Sequence, residues 1–120
     1  MKKIFVLFQI ILLSHFIVSA QKNDNGTTNV RIITTSQCSQ CKEIIEAALA
    51  FEKGIKSSDL DLKTRELTVV YNSKKTTDAQ IRSAVSKQGY DADDVKKDEK
   101  AYKKLPACCK IPDDPDYAGH

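Results

Sequence analysis

Aromatic residues make up 7% of the 120-residue chain and tryptophan is absent, too little to build a stacking surface for bases. Neither sign of charge dominates. The formal balance is +3, and subtracting Lys2 and Lys3 lowers it to +1. A near-neutral domain has no electrostatic footprint for nucleic acid, so that class of partner is excluded. The apolar stretch Ile4 to Leu13 is interrupted by Gln9 and falls short of the ~20 residues that cross a bilayer. Histidine occurs only as His15 and His120, and a chain that loses its first twenty residues keeps His120 alone, which cannot supply the familiar zinc set of two cysteines and two histidines. Proline is missing until Pro106, and Pro112 and Pro115 follow it. There is no internal repeat and no heptad pattern.

The two ends differ from the middle. Lys2 and Lys3, the apolar stretch and the small residues Val18-Ser19-Ala20 form the three regions of a secretory signal peptide over residues 1–20, with cleavage before Gln21. The expected product is secreted and carries no membrane segment after cleavage. Residues 21–29 are polar, without an apolar anchor, and read as a tether. Residues 96–120 form a charged tail that holds every proline and an adjacent pair, Cys108-Cys109. One small domain remains over residues 30–95, a size that buries only about 60% of its surface on folding.

Within that domain the apolar residues change period in an orderly way. Val30, Ile32 and Ile33 suggest a short strand. Cys41, Ile44, Ile45, Ala48 and Leu49 then recur at helical spacing, with Lys42, Glu43 and Glu46 opposite, and Gly54 supplies a helix stop. Ile55 to Leu62 and Glu66 to Asn72 read as two strands joined by the turn Lys63-Thr64-Arg65, which makes them antiparallel neighbours. Thr77-Asp78-Ala79-Gln80 has the form of a capping box and starts a second helix through Ile81, Ala84 and Val85 to Gly89. Tyr90 to Val95 is the remaining strand candidate. The order strand, helix, strand, strand, helix, strand predicts an α+β fold: a ferredoxin-like βαββαβ sandwich, with a four-stranded antiparallel sheet and two helices on one face.

Cys38-Ser39-Gln40-Cys41 lies where the first strand gives way to the first helix. Two thiols at this spacing converge on one point, and they either grip a soft metal ion or cycle between dithiol and disulfide. A thiol in the first turn of a helix gains about 0.3–1 kcal/mol for its anionic form. Metal uptake still competes with protons, so affinity is expected to fall as pH drops through the thiol titration. Cys108 and Cys109 leave three uses open: added ligands to the metal, disulfide exchange with Cys38 or Cys41, or an independent pair. Lys42 is either an exposed lysine or a cation that favours an anionic bis-thiolate complex.

Taken together, Cys38-x-x-Cys41, Lys53-Gly54-Ile55, the alternation Leu67, Val69, Tyr71 and the run Gly89-Tyr90-Asp91-Ala92 resemble the heavy-metal-associated domain family. That family includes copper chaperones, the amino-terminal domains of copper-transporting P-type ATPases and periplasmic mercury-binding proteins. The resemblance implies a non-enzymatic metal carrier in which Cys38 and Cys41 are the ligands and Tyr90 sits near the metal loop. It implies Cu(I) as the cargo, Hg(II) or Zn(II) as alternatives, the periplasm as the compartment and a metal-transporting ATPase or another metal-binding domain as partner. Zinc would need four ligands, which only Cys38, Cys41, Cys108 and Cys109 together could supply. The family has Gly-Met where this chain has Thr35 and Ser36, which implies a more polar, looser loop. A thioredoxin-like redox protein, the other home of such a cysteine pair, places a proline opposite the cysteines and a tryptophan before them, and residues 30–95 contain neither.

Overall fold

The computed structural model describes residues 26–118. The signal peptide expected over residues 1–20 lies outside them, as does the tether up to residue 25. The chain runs through β1 (Thr27–Ile33), α1 (Ser39–Ala50), β2 (Ile55–Asp61), β3 (Glu66–Asn72), α2 (Asp78–Ser86) and a short α3 (Glu99–Lys103), then a 3-10 turn, Ala107–Cys109. β3 is the central strand, with β1 and β2 on its two sides. Both pairings are antiparallel, with Val30 opposite Val69 and Leu60 opposite Leu67. Thr27 pairs with Asn72, so residues 27–29, expected in the tether, are part of the sheet.

Strand alternation decides which face is covered. Val30, Ile32, Leu60, Leu67, Val69 and Tyr71 are buried, and they share one core with Cys41, Ile45 and Leu49 of α1 and Ile81, Ala84 and Val85 of α2. Each large aliphatic side chain taken out of water here contributes about 1.5–3 kcal/mol. Glu46 fixes the height of α1 against β2 by accepting the Leu60 N–H at 3.0 Å. Lys42 reaches Glu46 at 2.7 Å and Asp59 at 2.9 Å, so its ammonium is engaged with carboxylates rather than held for the cysteines. α2 begins as the sequence indicates, with Thr77 Oγ1 accepting the Gln80 N–H at 3.2 Å.

The fourth strand is where expectation and structure part. Among the described residues the sheet has three strands, and the segment expected to add a fourth makes only isolated bridges, Thr34 with Ala92 and Ala92 with Val95. The cause is local. Asp93 adopts a left-handed φ of 52° and turns the chain back, so that the Ala92 N–H donates to the Val95 carbonyl at 2.9 Å. The edge of β1 is not left bare. The Asp93 N–H donates to the Ile33 carbonyl at 2.9 Å, and the Ile33 N–H donates to Asp93 Oδ1 at 2.8 Å. A side chain thus closes the ladder in place of a strand, and Arg82 holds it from the other side at 2.9 Å.

The tail carries its own framework. Tyr102 of α3 is buried, the ammonium groups of Lys97 and Lys110 lie 4.8 and 4.6 Å from the centre of its ring, and its hydroxyl donates to Asp114 at 2.7 Å. Lys110 is buried too and donates to the carbonyls of Tyr102 and Lys103 at 2.8 and 3.0 Å. Gly89 permits the docking. It sits at φ +101°, and a Cβ there would lie 2.8 Å from the Tyr102 backbone nitrogen.

Candidate metal centre

Residues 34–38 connect β1 to α1 and are stiffened by hydroxyl groups. Ser36 is fully buried; its Oγ lies 2.8 Å from Thr34 Oγ1, and Thr34 Oγ1 donates to the Arg65 carbonyl at 3.1 Å. Thr35 Oγ1 accepts the Asp91 N–H at 3.1 Å, tying the loop to the segment after α2. The polarity implied by Thr35 and Ser36 is present, but each hydroxyl is partnered and the loop is pinned rather than loose.

Cys38 is the N-cap residue of α1, with extended backbone, and Cys41 stands in the first turn. Their sulfurs are 3.4 Å apart. Cys41 points into the core, wholly buried, and accepts the Gln37 N–H at 3.3 Å. Cys38 stays partly exposed. The tail then brings in its own pair: the Cys108 sulfur lies 2.9 Å from that of Cys38, and the Cys109 sulfur 3.4 Å from it. Cys38 is therefore within contact distance of all three other thiols. Cys109 is buried, whereas Cys108 is half-exposed, with its sulfur 3.1 Å from Gln40 Oε1.

These neighbours make the thiols unequal. Burial works against a Cys38 thiolate, but the Cys108 thiol, the Cys41 backbone N–H at the open helix end and the thiols of Cys109 and Cys41 outweigh it. The Cys38 pKa is lowered to about 7. Cys108 is raised because its hydrogen serves Cys38. Cys109 is pushed well up, first by burial and then by its contact with Cys41. Cys38 is thus favoured to ionise before either thiol of the tail pair.

Tyr90 lies beneath the sulfurs, fully buried. Burial, then the thiols of Cys109 and Cys41, push its ionisation far above the ordinary phenol range. The two sulfurs are near enough to act on the phenol, yet its hydroxyl has no partner at hydrogen-bonding geometry. The oxygen is unbonded, since distance without alignment yields little hydrogen-bond energy.

Of the residues singled out in the sequence, the structure gathers Cys38, Cys41, Cys108, Cys109 and Tyr90 in one place. The turn that carries the tail pair escaped sequence reasoning, because adjacent cysteines have no recognised ligand spacing. The signal that was available is Asp98, whose carboxylate caps α3 by accepting the Ala101 N–H at 3.0 Å, the ordinary mark of a helix start.

Residues 36–91 match the family model described as the heavy-metal-associated domain. Copper chaperone CopZ of Staphylococcus epidermidis is 35% identical over 54 residues, 45% of this chain and 79% of that protein. CopZ of Staphylococcus aureus strain JH9 gives the same identity and coverage, 35% over 54 residues. Among solved structures, a CopZ metallochaperone superposes with a TM-score of 0.53 at 29% identity, covering 54% of this chain and 98% of its own. Oxidised MerP from Ralstonia metallidurans CH34 superposes with a TM-score of 0.53 at 24% identity, over 55% of this chain and 93% of its own. At that identity the likeness to MerP speaks to the fold alone. The matched residues stop short of Cys108 and Cys109.

Proposed function

This chain belongs to the heavy-metal-associated domain family, and from that premise we propose that it is an exported, non-enzymatic carrier of one soft metal ion. Cys38 and Cys41 are the ligands, Cu(I) is the cargo and Hg(II) the alternative. The observation that carries this reading is the pair of sulfurs 3.4 Å apart at the open end of α1, one partly exposed to solvent and the other anchored in the core. Soft thiolates suit Cu(I), which accepts low coordination, whereas Zn(II) asks for four ligands. The cargo is delivered, scavenged or detoxified by ligand exchange with a partner, and a metal-binding domain of a transporting ATPase fits that role. Among the described residues no helix is long and apolar enough to cross a membrane. The signal peptide read over residues 1–20 supports secretion to the periplasm.

The deciding experiment is Cu(I) titration of the reduced protein against a chromophoric chelator, alongside the variant Cys38→Ser/Cys41→Ser. One tightly held equivalent in the parent and none in the variant is the expected result. Undiminished uptake by the variant would remove both cysteines from the site.

A second reading rests on the 2.9 Å separation of the Cys38 and Cys108 sulfurs, which suits thiol-disulfide chemistry or a redox-responsive interaction module. Catalytic turnover in an insulin reduction assay would favour it over metal carriage.

A further inference from the structure

Cys38 and Cys41 account for only half of the thiols at this site. Adjacent residues in an extended chain point to opposite sides, but Cys108 and Cys109 sit in a 3-10 turn, Ala107–Cys109, that aims both sulfurs the same way. The Cys109 N–H donates to the Pro106 carbonyl at 2.9 Å, and the Ala118 N–H closes the far side of the turn on the Ala107 carbonyl at 3.3 Å. The sulfurs of Cys38, Cys108 and Cys109 all lie within 4.8 Å of one another. Cys41 falls outside that group, although it is in contact with Cys38.

We propose that Cys38, Cys108 and Cys109 form a three-sulfur site for the same soft cation, sharing Cys38 with the Cys38–Cys41 pair, so that the tail is a built-in ligand strap. The inference rests on the metal-carrier reading above and goes beyond it in naming what retains the cargo. Metal–sulfur bonds of about 2.3 Å in a trigonal plane set the sulfurs about 4.0 Å apart. The present separations of 2.9 and 3.4 Å from Cys38 open to that value with shifts of roughly 1 Å. Each new metal–sulfur bond takes the place of an S–H bond or of a free thiolate, and any displaced proton passes to solvent. Because Cys38 touches every other sulfur, the ion moves between the two-sulfur and three-sulfur sets without leaving it. Hand-over to a partner then requires the tail to lift away.

Two consequences follow for the metal. Three thiolates suit Cu(I) or Hg(II) and leave Zn(II) one ligand short. The tail raises retention, so its removal weakens binding and speeds transfer.

The test is X-ray absorption at the copper edge on the reduced full chain loaded with one equivalent of Cu(I), compared with Cys108→Ser/Cys109→Ser. About three sulfurs per copper in the parent and about two in the variant are expected, with affinity lower by at least roughly tenfold in chelator competition. Cys109 is buried, so Cys108→Ser alone, at a half-exposed position, serves as the second variant; its sulfur count falls in the same direction and its circular dichroism stays that of the parent. Two sulfurs in every protein, with equal affinity, would overturn the strap and leave the Cys38–Cys41 site standing. No copper bound by the parent would instead overturn the carrier reading itself.

Discussion

The sulfur of Cys38 lies 2.9 Å from that of Cys108, seventy positions further along the chain. This contact decides where negative charge resides in the metal-free protein. The Cys38 pKa falls from 9.0 to about 7, because donors to its thiolate outweigh the burial that opposes it. At pH 7 roughly half of Cys38 is then thiolate, against about 1% for an unperturbed thiol of pKa 9. The sign is fixed: a lowered pKa enriches the anion, and reactivity is lost as pH falls through the lowered value. Cys38 should therefore be the first thiol alkylated by iodoacetamide, with a rate that is half-maximal near pH 7. Cys108→Ser replaces the thiol donor, so the midpoint should move. Peptide mapping by mass spectrometry across pH 5 to 9 checks both. Uniform labelling of all four cysteines would contradict the arrangement.

Gly89 tests whether the tail is held by the domain. Its φ of +101° is one that side chains rarely adopt, and an added Cβ would meet the Tyr102 backbone nitrogen at 2.8 Å and its Cα at 2.9 Å. Backbone atoms cannot swing aside as a side-chain tip can. Gly89→Ala should cost about 1–3 kcal/mol through the strained conformation alone. It should also loosen α3, exposing the Tyr102 amide, which now donates to the Asp98 carbonyl at 2.9 Å. Thermal unfolding and amide hydrogen exchange report the two effects separately. Unchanged exchange at Tyr102 would mean that the tail docks without this close approach.

Much of the domain was legible because period and punctuation agree. Leu67, Val69 and Tyr71 alternate and are all buried on one face of β3; Cys41, Ile45 and Leu49 recur at helical spacing and are all buried in α1. Thr77 caps α2 through its side chain, as its capping-box sequence indicates. What was not legible depends on single conformations or distant contacts. Nothing in Tyr90 to Val95 announces that Asp93 will turn left-handed and close the β1 edge with its carboxylate. Likewise, composition marks residues 96–120 as charged. The order of residues 96–118 comes from contacts that no local pattern records, such as Tyr102 against Lys97, Lys110 and Asp114. The Cys38–Cys41 pair could be found from spacing. Its meeting with Cys108 and Cys109 could not, because sequence does not fix connectivity among thiols.

Tyr90 offers a way to ask whether the floor of the site is tuned or merely filled. The ring is fully buried and its hydroxyl has no hydrogen-bond partner, although Cys109 and Cys41 are close enough to raise its ionisation further after burial has done so. An unmade hydrogen bond at a buried hydroxyl costs about 1–3 kcal/mol. Removing the oxygen while keeping the ring should then leave stability unchanged or improve it. Tyr90→Phe is expected to show a denaturation midpoint at or above that of the parent, with metal-free Cys38 still titrating near 7, since the groups that lower it are Cys108, Cys109 and Cys41. Urea unfolding and the alkylation profile measure the two properties on one sample. A loss of more than about 1 kcal/mol would show that the phenol does bond to the sulfurs above it. In that case Tyr90 positions Cys41 and Cys109, and metal affinity should fall with it.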